Sequence, residues 1–352
     1  MRDIRQFLSR LSDRIATWGG RFISVFTALN IRPYRGSRTR NYYAPRTSPV
    51  RGVLWLLCVV VFLFCAVKLI SYAADYAAAR QASAALREIY HAQEQPSAPP
   101  ADPPSATPAP SPSEAPTPPE ATAVPSATAA PPTTLSTMRY PQNPYGIISS
   151  RFAKLRQQNQ DIIGWLTIDD LLDEAVVQRD NSYYLKRDYR GYHNVNGAIF
   201  LDEFCDLSTR PYTLMLYGHN MKTGAMFGCL RSYEKTSFYR EHPFITFDTA
   251  YEDGRYVVFS VATVSIKASS WRYLDFPGLY SLSIPKREAC IKTLLARSMY
   301  DCRIDVAADD QLLLLVTCTG DDEERRVVAA RRIREREDEE ALKRLVRTST
   351  AR

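Results

Sequence analysis

Three residues of this chain have types that together can do covalent chemistry: a cysteine closing an apolar run, a histidine behind a glycine, and an arginine opening a β-branched run. Cys318 ends QLLLLVTC, His219 stands in YGHNMKTGAMFGCL, and Arg325 opens RRVVAARRI. A thiol nucleophile needs a base or an electropositive neighbour, and the oxyanion formed on acyl attack needs a donor. Cys, His and Arg supply all three. With reference pKa values of about 8.5 and 6.5, a thiolate facing an imidazolium is a minority state at neutral pH unless the site shifts them. Each residue also has an ordinary structural reading. A free cysteine is commonly buried and inert, a lone histidine at a strand end is commonly a satisfied structural residue, and Arg325 follows the acidic loop 321–324 as a surface arginine would. Spacing alone does not bring the three together, and Cys229 is a rival thiol near His219 in sequence.

The elements that must position them are mainly strands. Aromatic and β-branched runs separated by Gly, Asn, Asp and Pro fill residues 145–334 and predict one mixed, mainly β domain. Residues 256–265, 311–318 and 325–333 read as strands. Ile148, Phe152 and Leu155 mark an opening helix, and Pro285 opens another that carries Ile291, Leu294, Leu295 and Met299. Residues 334–347 read as a charged, solvated terminal helix, so 335–352 is set apart as a charged tail. The seven cysteines include no C-x-x-C pair, so neither a metal site nor a cofactor is expected. Cys290 and Cys302 flank the predicted helix and are candidates to pair outside the cell.

Before this domain the composition changes three times. Residues 1–52 are basic, with arginines from Arg2 to Arg51 against only Asp3 and Asp13. Much of the net charge of +7 lies here, and a membrane face accounts for it better than nucleic acid. Ile4, Phe7, Leu8, Leu11, Ile15 and Trp18 recur at helical spacing, as in a helix lying on an anionic bilayer or, as the rival reading, one that binds a partner. Residues 53–70 (VLWLLCVVVFLFCAVKLI) span about 27 Å as a helix, enough to cross a membrane. The arginine asymmetry predicts a cytoplasmic N-terminus and an extracellular domain. Residues 71–94 form an Ala-rich helical stalk by this reading. Residues 95–144 are Pro, Ala, Ser and Thr without a core, a spacer reaching on the order of 150 Å.

Taken in order, the segments of the last domain resemble class B sortases. DIIGW (161–165), VVQRDNSYYL (176–185), GAIFLD (197–202), LYGHNMKTGAMFGCL (216–230), residues 237–247 and VTC (316–318) follow that family's succession. The resemblance implies an eight-stranded sortase β-barrel with N-terminal helices and an extra helix before the nucleophile strand. It assigns the catalytic His, Cys and Arg to His219, Cys318 and Arg325, with Arg326 as the variable residue of R-x-V-V. It also matches Asn181, Leu185 and Tyr217 to positions lining the substrate groove. Leu314 and Val316 depart from the family's T-x-x-T-C pattern and its usual hydroxyl two residues before the cysteine, which bears on tuning rather than on the nucleophile. The implied activity is a cysteine transpeptidase. It cleaves a C-terminal sorting motif of a secreted protein through a thioester and passes the acyl group to an amine of a peptidoglycan cross-bridge, a lipid precursor or a pilin. The competing readings are a membrane-tethered cysteine peptidase and a non-catalytic surface assembly module.

Overall fold

In the computed structural model, which describes residues 49–92, 133–169 and 171–352, the β-branched runs close into a barrel. Eight strands take part: β1 Ile162–Ile168, β2 Leu172–Gln178, β3 Ile199–Leu201, β4 Thr213–Tyr217, β5 Phe244–Thr249, β6 Arg255–Ser265, β8 Leu312–Cys318 and β9 Glu324–Arg332. Their order around the barrel is β1-β2-β3-β4-β8-β9-β6-β5, with β5 returning to β1. The β2–β3 and β4–β8 pairs are parallel and the others antiparallel. Leu312 to Val316 are all buried, because β8 faces the barrel interior on one side and the helical turns Phe227–Glu234 touch its other side. A strand buried on both faces needs a continuous apolar run rather than an alternating one.

The helices are α1 Pro49–His91, α2 Ser150–Gln158, α3 Thr236–Glu241, α4 Phe276–Leu279, α5 Ile284–Arg297 and α6 Glu339–Arg347. The chain divides into two units, residues 1–66 and 67–352. Within α1 an 18-residue window has mean hydropathy 2.9 and none of it is buried, so the helix is long and apolar enough to cross a membrane. Residues 1–48 of the basic segment, the last two residues of the Ala-rich stalk and residues 95–132 of the proline-rich segment lie outside the described residues.

Several segments expected to stand apart from the barrel are built into it. Leu86 and Tyr90, from the end of α1, are each 2% exposed and join Phe152, Trp165 and Phe200 in a second apolar cluster. Tyr90 stacks on Trp165 with ring centroids 4.3 Å apart and donates to Asp248 Oδ2 at 2.5 Å. Tyr140, inside the expected spacer, is buried and donates to Leu207 O at 2.6 Å, while Leu135 N–H bonds Leu282 O. At the far end the predicted terminal helix forms over Glu339–Arg347, shorter than expected, and buries Leu342 and Val346. Leucine and valine four residues apart on one helical face give a charged segment an apolar stripe. Met299, expected on the helix that Pro285 opens, falls just past its end beside the short strand β7 Tyr300–Asp301, which pairs with β10 Thr350–Ala351.

Arg287 on α5 fixes the starts of the two strands that carry the candidate residues. Its side chain is fully buried and donates to Ala308 O, Asp310 O, Tyr212 O, Leu279 O and Thr213 Oγ1. Burial lowers its pKa to about 10, and carbonyl acceptors replace the water it has lost. Thr213 opens β4, and Asp310 lies two residues before β8.

Candidate active site

β8 lies between β4 and β9, and its register with each decides what meets at the rim. With β9 it is antiparallel, Cys318 opposite Arg325 and Thr317 opposite Arg326. Directly opposed residues share a face, their Cβ atoms about 4.5–5.5 Å apart. Arg325 therefore projects on the side of exposed Cys318, and Arg326 on the side of Thr317, which is 3% exposed. With β4 the strand is parallel, Tyr217 opposite Val316. β4 ends at Tyr217, and His219 follows two residues on, as Cys318 follows Val316. Cys318 and Arg325 thus pair across β8 and β9, and His219, just past the end of β4, completes a row at this rim of the barrel.

The turn that carries His219 depends on two close approaches. A Cβ on Gly218 would stand 2.9 Å from the Phe227 ring, and one on Gly228 would stand 2.0 Å from Met221 O. Only glycine lets the chain fold back so tightly. Met226 has φ 50°, a left-handed conformation that is costly for a branchless but bulky side chain. His219 Nε2 lies 2.6 Å from Leu185 O. A carbonyl cannot donate, so Nε2 carries the proton and Nδ1 is the basic nitrogen of the neutral ring.

Arg325 donates through one guanidinium nitrogen to Asp322 O and Glu324 O at 2.8 and 2.9 Å. The loop before it is tied down in turn by Lys267–Glu323 and Arg272–Glu324 ion pairs. Arg326 instead pairs with Glu234 on the neighbouring helical turns.

Of the three residues matched to the substrate groove, Leu185 meets the site through its main chain, its carbonyl receiving His219, while its side chain is 39% exposed. Tyr217 is half-buried and its hydroxyl lies 3.0 Å from Met215 Sδ. Burial raises the pKa of that hydroxyl, and the Asp202 carboxylate adds to the effect. Asn181 is further out; it accepts from Glu203 N and its amide lies 3.4 Å from Asp202 Oδ2. The rival thiol Cys229 is buried, bonded to Met226 O, and pushed up to about 12 by burial. Cys290 and Cys302 are both free. A cavity of about 430 Å³ lies between α1 and the barrel, lined by Arg80, Arg87, Glu174 and Asn196 and by none of the row. Among the described residues no group of His, Cys, Asp and Glu is placed to hold a metal ion.

The sequence reading did not single out Asn220. Its side-chain amide donates to Cys318 O at 2.8 Å. The only signal was its place directly after His219.

Chemically, the row offers an accessible thiol, an imidazole and a guanidinium at the ends of neighbouring strands, the three groups that acyl transfer through sulfur requires. No family model matches the chain. Among curated proteins it is 35% identical to sortase B of Listeria monocytogenes over 126 residues, covering 34% of this chain and 49% of that protein. It is 34% identical to sortase B of Staphylococcus aureus over 122 residues, covering 34% and 50%. The matched region spans about half the length of these relatives. The crystal structure of sortase B from Bacillus anthracis in complex with AAEK2 superposes with a TM-score of 0.53 at 26% identity, covering 74% of this chain and 98% of that one.

Proposed function

We propose that this chain, a relative of the class B sortases whose closed eight-stranded barrel is the sortase fold, is a cysteine transpeptidase that works through Cys318, His219 and Arg325. The observation that carries the proposal is that Cys318 pairs with Arg325 across β8 and β9 while His219 follows directly on β4, the other neighbour of β8. In this reading Cys318 passes its proton to His219 Nδ1, and Sγ attacks the carbonyl carbon of a threonine in a C-terminal sorting motif. The oxyanion develops on the side where Arg325 projects, and His219 gives a proton to the leaving amine as the C–N bond breaks. The thioester is then attacked by an amine that His219 deprotonates, and the cysteine leaves as the tail-less protein is joined to its acceptor. The acceptor amine belongs to a peptidoglycan cross-bridge, a lipid precursor or a pilin lysine.

Asn181, Leu185 and Tyr217 line the approach to the row in this proposal, and no cofactor takes part. The apolar helix anchors the protein in the cell membrane as a single pass, its basic end in the cytoplasm and the barrel outside, where secreted substrates arrive. Protease added to intact cells is then expected to remove the barrel and spare the N-terminal segment. Protection of the barrel would reverse the orientation.

The catalytic test uses peptide cleavage with and without an added amine. Cys318→Ala abolishes both reactions. His219→Ala lowers the rate by about 10²–10⁴-fold, the usual contribution of a general acid and base, and Arg325→Ala by about 10²–10³-fold. Arg325→Lys loses less, since it keeps the charge but not the planar fork. Arg326→Ala stays within several-fold, because its partner is Glu234. Ligation by Cys318→Ala would end the proposal. Cleavage that never yields a ligated product would make the protein a peptidase.

A further inference from the structure

In a parallel ladder each strand's N–H groups reach carbonyls at slanted, evenly spaced positions on its neighbour. Gly218 N–H bonds Val316 O at 3.4 Å, and continuation of that spacing would send the main-chain N–H of Asn220 to Cys318 O. The chain does not continue straight. Met221 N–H turns back to His219 O at 3.1 Å, and Asn220 bridges to Met226 instead. Two side chains carry the connection on: Thr317 Oγ1 donates to Gly218 O at 2.7 Å, and Asn220 Nδ2 donates to Cys318 O at 2.8 Å. One bond lies just before the level of His219 and Cys318, and the other ends on Cys318 itself.

We infer that Asn220 is a positioning residue for the Cys318–His219 pair, its amide standing in for the ladder bond that the turn gives up. This rests on the proposed transpeptidase reading and deepens it. The acceptor is a carbonyl, so Nδ2 must face it and Oδ1 must face away. That oxygen is enclosed and has no hydrogen-bond partner. An unpaired enclosed oxygen offsets most of what one neutral hydrogen bond contributes to stability. The side chain therefore adds little to the fold and acts on geometry: it holds the nucleophile's main chain against the residue next to His219. Without it the barrel stands, but the spacing of thiol and imidazole loosens.

The test compares wild type with Asn220→Asp, which keeps the shape and removes the donor, and with Asn220→Ala, which also removes the orphaned oxygen. Three quantities are measured: kcat and KM for peptide–amine ligation, the melting temperature, and the rate at which iodoacetamide labels Cys318 without substrate. The expected result in both variants is a kcat lower by about 10–100-fold, the scale of a small misplacement of reacting groups. KM and melting temperature stay nearly unchanged, and labelling slows several-fold. Should one variant fail to fold, the other is read alone. Full kcat in Asn220→Asp, a rise in KM without loss of kcat, or labelling at the wild-type rate would overturn the inference. A wild type that labels at Cys318 but never ligates would defeat the transpeptidase reading, and the labelling rates would still decide the role of Asn220.

Discussion

The thiols of Cys205, Cys229 and Cys290 are all buried, and burial raises each above the ordinary cysteine range, Cys229 to about 12 and Cys290 to about 11. At pH 7.5 a thiol with a pKa of 11 or more is less than about one part in a thousand thiolate, and the thiolate is the species that reacts. Exposed Cys318 is therefore expected to take iodoacetamide first in residues 67–352, with Cys205, Cys229 and Cys290 labelled only on unfolding or in strong alkali; mass spectrometry of the peptides reads the order. Early labelling of Cys229 would revive it as a rival nucleophile. The linkage runs the same way: a raised thiol pKa leaves stability intact below the unfolded value near 8.5 and removes it as pH climbs towards 11–12. Residue types at strand ends, together with ordered motifs, singled out Cys318, His219 and Arg325 as candidates in the sequence, and the register pairs two of them, Cys318 and Arg325. The bond from Asn220 was not, since it exists only because the chain leaves the ladder there. Nor was the use of Leu185 through its carbonyl, because a side-chain pattern carries no information about which main-chain groups face a site.

At the scale of elements, the strands were legible wherever β-branched residues ran together, and the packing of the flanking segments was not. An Ala-rich helix gives a weak pattern when its two large buried side chains are Leu86 and Tyr90, four residues apart, with Ile89 packed beside them. In a proline-rich stretch a single Tyr140 is easily passed over. Both segments are nonetheless part of the barrel's outer wall. Leu86→Ala is expected to cost about 2–5 kcal/mol, as for other buried leucines. Tyr90→Phe is expected to cost about 1.5–3 kcal/mol, since it deletes a hydrogen bond to a charged group. Asp248, whose carboxyl burial raises, would lose that donor and keep its contact with Arg151 at 3.4 Å. A polypeptide beginning at Pro141 lacks Leu86, Tyr90 and Tyr140 together and should unfold at clearly lower urea than one beginning at Val67. Equal midpoints would mean that the end of α1 merely rests on the barrel.

Over the whole molecule, the chain's end is a strap rather than a solvated tail. Arg331, the last buried side chain of β9, is fully enclosed and meets Glu337 through two nitrogens at 2.7 and 2.8 Å, with Asp305 O at 2.6 Å. Arg334 bridges Asp305 and Asp310. Past α6 the chain crosses to α3, where Arg240 holds Ser349 O, and β10 closes on β7. Sequence alone showed alternating charges here, and only the fold pairs arginines with acids that come from the loop before β8. The pairing has a pH signature. Hydrogen bonding to Arg334 lowers the Asp305 carboxyl, and although burial acts to raise Glu337, its bonds to Arg331 prevail and lower it. A depressed folded pKa stabilises the native state above the unfolded carboxylate range near 4, and the contribution is lost as pH falls through the folded values. Arg331→Met removes one side of a buried pair, which costs about 3–5 kcal/mol, and frees Glu337 from its coupling. Urea midpoints measured from pH 7 to pH 2 should therefore start lower in Arg331→Met and fall less steeply below pH 4 than in wild type. Parallel curves would show that acid loosens the barrel somewhere other than this strap.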